Sequence, residues 1–230
     1  RAGGLMAISF RRSLTGAGFG VGQTRFVLRR ADLQAPESSG VVGGVQMGWP
    51  RWQGEWEVTC KSDAEMRAVE AWVASLRGGI KTFIGSDLRR LTPAAYPSGV
   101  TALTRHGGGA FDGSATSFSL SGDRATVTLN GLPSTLAITA GDFVDFRWTT
   151  GGAARRHLVQ ALESVTASAG VAAFEVDPAV HTVVPTDGSA VAWVQGCGTI
   201  MRLTPETEIG GSAVEGYGSV KIVGIEDIRA

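Results

Sequence analysis

The feature that most constrains the fold is a series of short apolar runs at near-regular spacing in the second half of the 230-residue chain. Turn signals rich in Gly, Asp and Asn separate these runs, and no helical pattern interrupts them. Short strands at such spacing are typical of all-β barrels and sandwiches. The strands predicted here are 116–120, 124–129, 142–148, 157–163, 171–177 and 190–195.

The first part of the chain has a different order of elements: strand, helix, strand. Residues 54–60 alternate between apolar and polar side chains, which predicts a strand with one buried face. A helix over 63–77 should follow, because Ser62 and Glu65 form a capping box and apolar residues then recur at helical spacing. Two glycines end the helix before a strand predicted over 80–84. Further upstream, a strand over 26–32 and a glycine-broken edge strand over 41–48 are predicted.

Two apolar strands are predicted near the end of the chain, at 199–204 and 218–229. The last run is too apolar to stand alone, so both should pair with the sheet that contains 54–84, whose strands do not form a complete sandwich by themselves. This predicts a discontinuous first domain interrupted by an inserted β-barrel. The predicted units are 1–92 and 198–230 for the first domain, and 93–197 for the barrel.

Composition and motifs narrow the function classes. The chain has 21 basic and 21 acidic residues, and this zero net charge argues against specific binding of nucleic acid. No apolar run approaches the roughly 18 residues of a transmembrane helix, so no membrane association is predicted. The three histidines are far apart and lack metal-ligand spacing, and no nucleophile elbow occurs. We therefore predict no catalytic residue, no metal and no cofactor, with Cys60 and Cys197 as buried free thiols.

Arginine and tryptophan supply the candidate interface. Lysine accounts for only three of the 21 basic residues, and arginine suits fixed planar contacts across interfaces, although a GC-rich genome would give the same bias. Three tryptophans cluster within residues 49–56, and this cluster fits core packing, a protein interface or a sugar-binding platform. The candidate interface residues are Arg29, Arg30, Trp49, Arg51, Trp52, Arg89 and Arg90.

Several stretches also resemble a known family. Residues 140–144, 157–159, 169–178 and 187–191, followed by Met201-Arg202-Leu203, resemble the β-barrel part of minor tail proteins of long-tailed, siphovirus-type bacteriophages. The N-terminal part resembles the ring-forming part of distal tail proteins. The resemblance implies a mainly β fold: a β-sandwich ring domain with one flanking α-helix, plus an inserted small barrel of the oligosaccharide/oligonucleotide-binding type.

The same resemblance implies a structural, non-enzymatic virion protein of a phage or a gene-transfer-agent-like particle. Such a protein is assembled in the host cytoplasm and forms a ring, expected to be a hexamer, at the tail tip. Its implied partners are its own copies, the tail tube protein, the tail hub protein and the tape measure protein. The alternative is a carbohydrate-binding module of a receptor-binding apparatus at the tail tip. A peptidoglycan-cleaving tail enzyme is a third, less favoured interpretation, because no catalytic motif supports it.

Overall fold

The computed structural model of the protein describes residues 11–14, 19–36, 42–210 and 218–228. In these residues the chain is mainly β, with one α-helix. The elements of the first part are β1 (Arg12–Ser13), β2 (Val21–Arg29), β3 (Asp32–Pro36), β4 (Val42–Gln46), β5 (Arg51–Cys60), α1 (Asp63–Ser75) and β6 (Thr82–Gly85). The next are β7 (Ser117–Leu120), β8 (Thr126–Asn130), β9 (Ala137–Ile138), β10 (Phe143–Thr150), β11 (Ala153–Ala161), β12 (Val165–Thr166), β13 (Val171–Asp177) and β14 (Val191–Trp193). The last are β15 (Thr199–Leu203), β16 (Glu208–Ile209) and β17 (Gly218–Glu226).

The larger sheet joins both ends of the described chain. Its strand order is β1-β6-β15-β17-β5-β2, and β16 pairs with β17. The last strand therefore lies in the middle of the sheet, where Ile225 aligns with Arg202 on one side and with Gln53 on the other. These pairings confirm that the strands predicted at 199–204 and 218–229 belong to the sheet of 54–84. The residues at which one domain gives way to the other stay a prediction.

Aromatic side chains form the core of this sheet. The alternation in β5 is as predicted, with Trp56, Val58 and Cys60 buried on one face. Gly54 makes room for the indole of Trp56, because a Cβ on this glycine would overlap the ring. Trp72 of α1 packs edge-on against Phe83 of β6, with ring centroids 5.4 Å apart. The helix thus covers the same face of the sheet that the strand alternation turns inward.

The predicted cap of α1 by Ser62 is confirmed, but the reciprocal bond of Glu65 goes to the residue before the N-cap. The hydroxyl of Ser62 accepts a hydrogen bond from the N–H of Glu65, and the Glu65 carboxylate accepts one from the N–H of Lys61. The strand after the helix begins at Thr82, so the prediction that it starts at residue 80 is wrong. A 3₁₀ turn at Arg77–Gly79 intervenes, and Ile80 points into solvent instead of entering the ladder.

The second sheet has its own core. It has six antiparallel strands in the order β14-β10-β11-β13-β8-β7, and β9 and β12 form a separate pair. All of these strands lie between β6 and β15 in the chain, within the segment predicted to be rich in short strands. Phe111, Phe146 and Phe174 are among its buried residues. Phe143 and Leu158, by contrast, belong to the core of the first sheet, so side chains of β10 and β11 join the two sheets.

Strands lie in both stretches predicted within residues 26–48, but with different bounds. β2 ends at Arg29, and Asp32–Pro36 and Val42–Gln46 pair with each other as an antiparallel hairpin. The glycines at 43 and 44 lie in this hairpin, where β4 is an edge strand, as predicted, of a separate two-stranded sheet. The hairpin is therefore a separate two-stranded extension of the β2–β5 pair.

Candidate assembly interface

The β3–β4 hairpin extends from one end of the larger sheet. β2 and β5 run antiparallel, and their last aligned pair is Arg29 with Arg51. Strands β3 and β4 lie between these two arginines in the chain, and the carbonyl of Ala31 accepts a hydrogen bond of 2.7 Å from the N–H of Met47. The chain thus leaves the sheet after β2, contributes two paired strands to a second ribbon and re-enters the sheet at β5, beside β2.

One face of this hairpin is apolar and exposed. Leu33 and Val45 are directly opposite each other in the ladder. Leu33 is 56% exposed, Val45 61% and Met47 68%. Since residues two apart on an extended chain share a side, Met47 continues the face that Val45 begins. Contiguous exposed apolar side chains of this kind mark surfaces that bind another molecule. We call these three side chains the hairpin patch.

The base of the hairpin is held against the second sheet. Arg30 forms an ion pair with Asp177 at the end of β13. The ring of Trp49 packs edge-on against that of His181, with centroids 4.5 Å apart. Burial, with the neighbouring His157, lowers the pKa of His181 below its ordinary value, so this ring is neutral at pH 7. The hairpin is thus anchored at its base, whereas its patch faces solvent.

The other two predicted residues near this ribbon have opposite environments. Arg51 is exposed, whereas Trp52 is only 2% exposed and lies between the two sheets. The indole N–H of Trp52 donates to the carbonyl of Leu158 at 2.8 Å. Its ring stacks on Phe26, with centroids 5.3 Å apart. Trp52 therefore packs within the chain, where it links β5 to β11.

Arg89 and Arg90 lie away from the hairpin, and both bind the buried carboxylate of Asp87. Burial alone would raise the pKa of Asp87, but hydrogen bonds from Arg89 and Arg90 outweigh it and lower this pKa below the ordinary value. Arg90 also donates to the carbonyl of Gly141 at 3.2 Å and lies over the ring of Phe143. Arg90 is thus a bridge between the two sheets, whereas Arg89 leaves most of its side chain in solvent.

The structure therefore brings part of the predicted set together. Arg29, Arg30, Trp49 and Arg51 surround the base of the hairpin. The arginine pair at 89–90 is separate, and Trp52 is internal. Sequence analysis missed the hairpin patch. A weak signal was present, because Val45 and Met47 are apolar residues two positions apart at the end of a predicted strand.

A second feature of the junction between the sheets is a buried ion cluster. The carboxylate of Asp145 is fully buried and accepts hydrogen bonds from Arg147 at 3.0 Å and Arg156 at 3.2 Å. It also accepts the N–H of Gly198, 3.3 Å away at the start of β15. Because a buried charge must be paired, this cluster favours a single docking of the second sheet on the first.

Other chemistry in the described residues is limited. Cys60 and Cys197 are free and buried, as predicted, and burial raises the pKa of Cys197 well above its ordinary value. Within the described ranges, no group of three or more His, Cys, Asp or Glu side chains is placed to hold a metal ion. No helix in the same ranges has the length and apolarity needed to cross a membrane.

A scan of protein-family models and a search of curated proteins both return no match for this chain.

Proposed function

We propose that this protein is a structural, non-enzymatic subunit of a virion, which assembles with copies of itself into a ring at the tail tip of a long-tailed bacteriophage or a related particle. The ring would join the tail tube to the central hub. The observation that carries the proposal is the hairpin patch, an exposed apolar surface on an anchored ribbon that leaves the main sheet.

The chemistry of the hairpin favours self-assembly over a purely structural extension. Covering the patch would remove apolar surface from water and contribute on the order of 1–2 kcal/mol for each side chain. Each subunit of a closed ring presents two different complementary surfaces, so an arm on one side of a copy can dock on the next copy. A ribbon with paired strands and a fixed base is suited to this role, because little conformational freedom is lost when it binds.

The proposal includes the finer fold. We assign the larger sheet with α1 to a sandwich-like ring domain, and the second sheet to a small inserted barrel of the oligosaccharide/oligonucleotide-binding type. In support, the second sheet lies between β6 and β15 in the chain and has a core of its own. The order of ring domain, insertion and completing strands is the one expected for distal tail proteins.

The experiment compares the mass in solution of the wild type with that of Leu33→Thr/Val45→Thr. Threonine keeps strand propensity but removes apolar surface. A matched control is Leu162→Thr/Val171→Thr, because these residues are also exposed, at 53% and 42%, but lie just after β11 and at the start of β13, away from the hairpin. We expect a concentration-dependent ring, with the mass of a hexamer, for the wild type and the control. The hairpin variant should remain monomeric, with an unchanged circular dichroism spectrum.

Two results would contradict the proposal. A wild type that stays monomeric at high concentration would contradict self-assembly. Glycan binding by that monomer would favour the carbohydrate-binding alternative. A hairpin variant that still forms the full ring would show that the patch is not the assembly contact.

A further inference from the structure

A cationic cavity of about 330 Å³ lies where the β1–β6 edge of the larger sheet meets the turn between β10 and β11. It is distant in sequence from the hairpin patch and shares no residue with it. The backbone of residues 152–154 forms part of its wall. The polar side chains that line it are Arg11, Lys81, Thr82, Arg155, Arg202 and Asp227.

The described side chains that line this cavity carry an excess of positive charge. Four basic side chains and one carboxylate line it, a net of three positive charges, in a chain whose overall net charge is zero. The carboxylate of Asp227 is already bound by Arg202, whose Nε lies 2.8 Å from it. Since clefts focus the field of charges that share a sign, this cavity should attract anions.

The geometry of the cavity is built by several strands. The Nε of Arg11 donates to the hydroxyl of Thr82 at 3.2 Å, which fixes the guanidinium at the edge of the sheet. Arg202 is held from a second side, because its Nη1 donates to the carbonyl of Gly79 at 2.6 Å. Burial lowers the pKa of Arg11, the nearby charge of Arg155 lowers it further, and the carboxylate of Asp227 acts in the opposite direction. An anion in the cavity would relieve the repulsion between Arg11 and Arg155.

We propose that this cavity binds a phosphate-bearing anion. Guanidinium groups present N–H donors in a planar fork that matches the oxygens of a phosphate, and three arginines and one lysine line this cavity. The volume lies at the lower end of the range for small-molecule sites, about 300–1,000 Å³, so a phosphate with a small organic group can enter. The inference does not depend on ring assembly, because every residue it uses belongs to one copy of the chain.

Isothermal titration calorimetry with inorganic phosphate and with glycerol phosphate tests this proposal. The ionic strength is held constant with sodium chloride, because dissolved salt screens the charges that would attract the anion. The cavity variant is Arg11→Gln/Lys81→Gln. Its matched control, Arg25→Gln/Lys61→Gln, removes the same two charges at exposed positions outside the cavity. We expect a millimolar or tighter Kd for the wild type and the control, and at least tenfold weaker binding for the cavity variant.

A second variant keeps the test decisive if the first one fails to fold. Ala154→Glu adds a carboxylate at an exposed position on the cavity wall and leaves every cation in place. It should weaken phosphate binding to the same extent. Tighter binding of glycerol phosphate than of inorganic phosphate would identify a phosphomonoester as the ligand, and equal binding would identify free phosphate. Absence of binding to the wild type, or equal affinity in all four proteins, would overturn the proposal.

Discussion

The Nδ1 of His157 lies 3.5 Å from the Oε1 of Glu226, and both side chains are fully buried at the contact between β11 and the final strand of the larger sheet. The Nε2 of His157 accepts the backbone N–H of His181 at 3.2 Å, which places a ring proton on Nδ1, facing the carboxylate. Glu226 also accepts the N–H of Trp52 at 3.1 Å and the hydroxyl of Thr199 at 2.7 Å. One carboxylate thereby joins three strands of the larger sheet to the second sheet.

Replacing this carboxylate should therefore destabilise the whole chain. Glu226→Ala leaves the N–H of Trp52 and the hydroxyl of Thr199 without their acceptor in the interior. An unsatisfied buried donor costs about 1–3 kcal/mol, so we expect the free energy of unfolding in urea to fall by about 2–5 kcal/mol. Glu57→Ala on β5 is the control, because this glutamate is exposed. A loss for Glu226→Ala no larger than that of the control would show that the network contributes nothing.

The helix offers a sharper comparison between neighbouring positions. Val69 is fully buried against the larger sheet, whereas Ala71 of the same helix is exposed. Val69→Asp places an unpaired charge in the core, so we expect loss of the folded state, measured by circular dichroism and thermal unfolding. Ala71→Asp should cost less than about 1 kcal/mol, the range of helix propensity alone. Similar melting curves for the two variants would mean that the apolar face of α1 is not packed.

Local patterns predicted those elements whose apolar face is covered by the chain itself. The alternation in β5 and the spacing of β10, β11 and β13 both follow this rule. The pairing of β3 with β4 was not predicted, because the apolar residues Leu33 and Val45 are exposed, whereas apolar residues of a strand are usually buried.

Contacts between distant elements were not predicted, for a different reason. Arg11, Lys81, Arg155 and Arg202 come from four distant parts of the sequence, and only the strand order places them around one cavity. The same holds for His157 and Glu226, which belong to different sheets. Hydrophobic periodicity indicates which face of a single helix or strand is buried, but it does not predict contacts between residues that are far apart in the sequence.

The two arginines at 89–90 should differ in their contribution to stability. Arg90 packs on Phe143 and donates to the carbonyl of Gly141. The hydrogen bonds and the ion pair that the structure gives for Arg89 all go to Asp87. We expect Arg90→Ala to lower the free energy of unfolding by about 2 kcal/mol, through lost packing and a lost charged hydrogen bond. Arg89→Ala should cost about 1 kcal/mol or less. Chemical denaturation of both variants checks the difference, and equal losses would contradict the bridging role of Arg90.

Asp87 makes the stability of the protein depend on pH in the acid range. Its pKa is lowered in the folded state, because hydrogen bonds from Arg89 and Arg90 outweigh the effect of burial. The unfolded chain, with a carboxyl pKa of about 3.9, then binds more protons than the folded chain as the pH falls. The stabilisation is therefore fully present above the unfolded pKa and is lost as the pH drops through the folded pKa.

Asp87→Asn should accordingly be less stable than the wild type at pH 7, but its free energy of unfolding should fall less steeply between about pH 5 and pH 2, since a titrating group contributes up to about 1.4 kcal/mol per pH unit. Val69→Ala is the control, because it loses stability through a cavity and retains every carboxylate. Urea denaturation at a series of pH values gives the slopes. If Asp87→Asn and Val69→Ala show the same slope, the carboxylate of Asp87 is not held by its two arginines in solution, and the bridge from Arg90 to the second sheet loses its anchor.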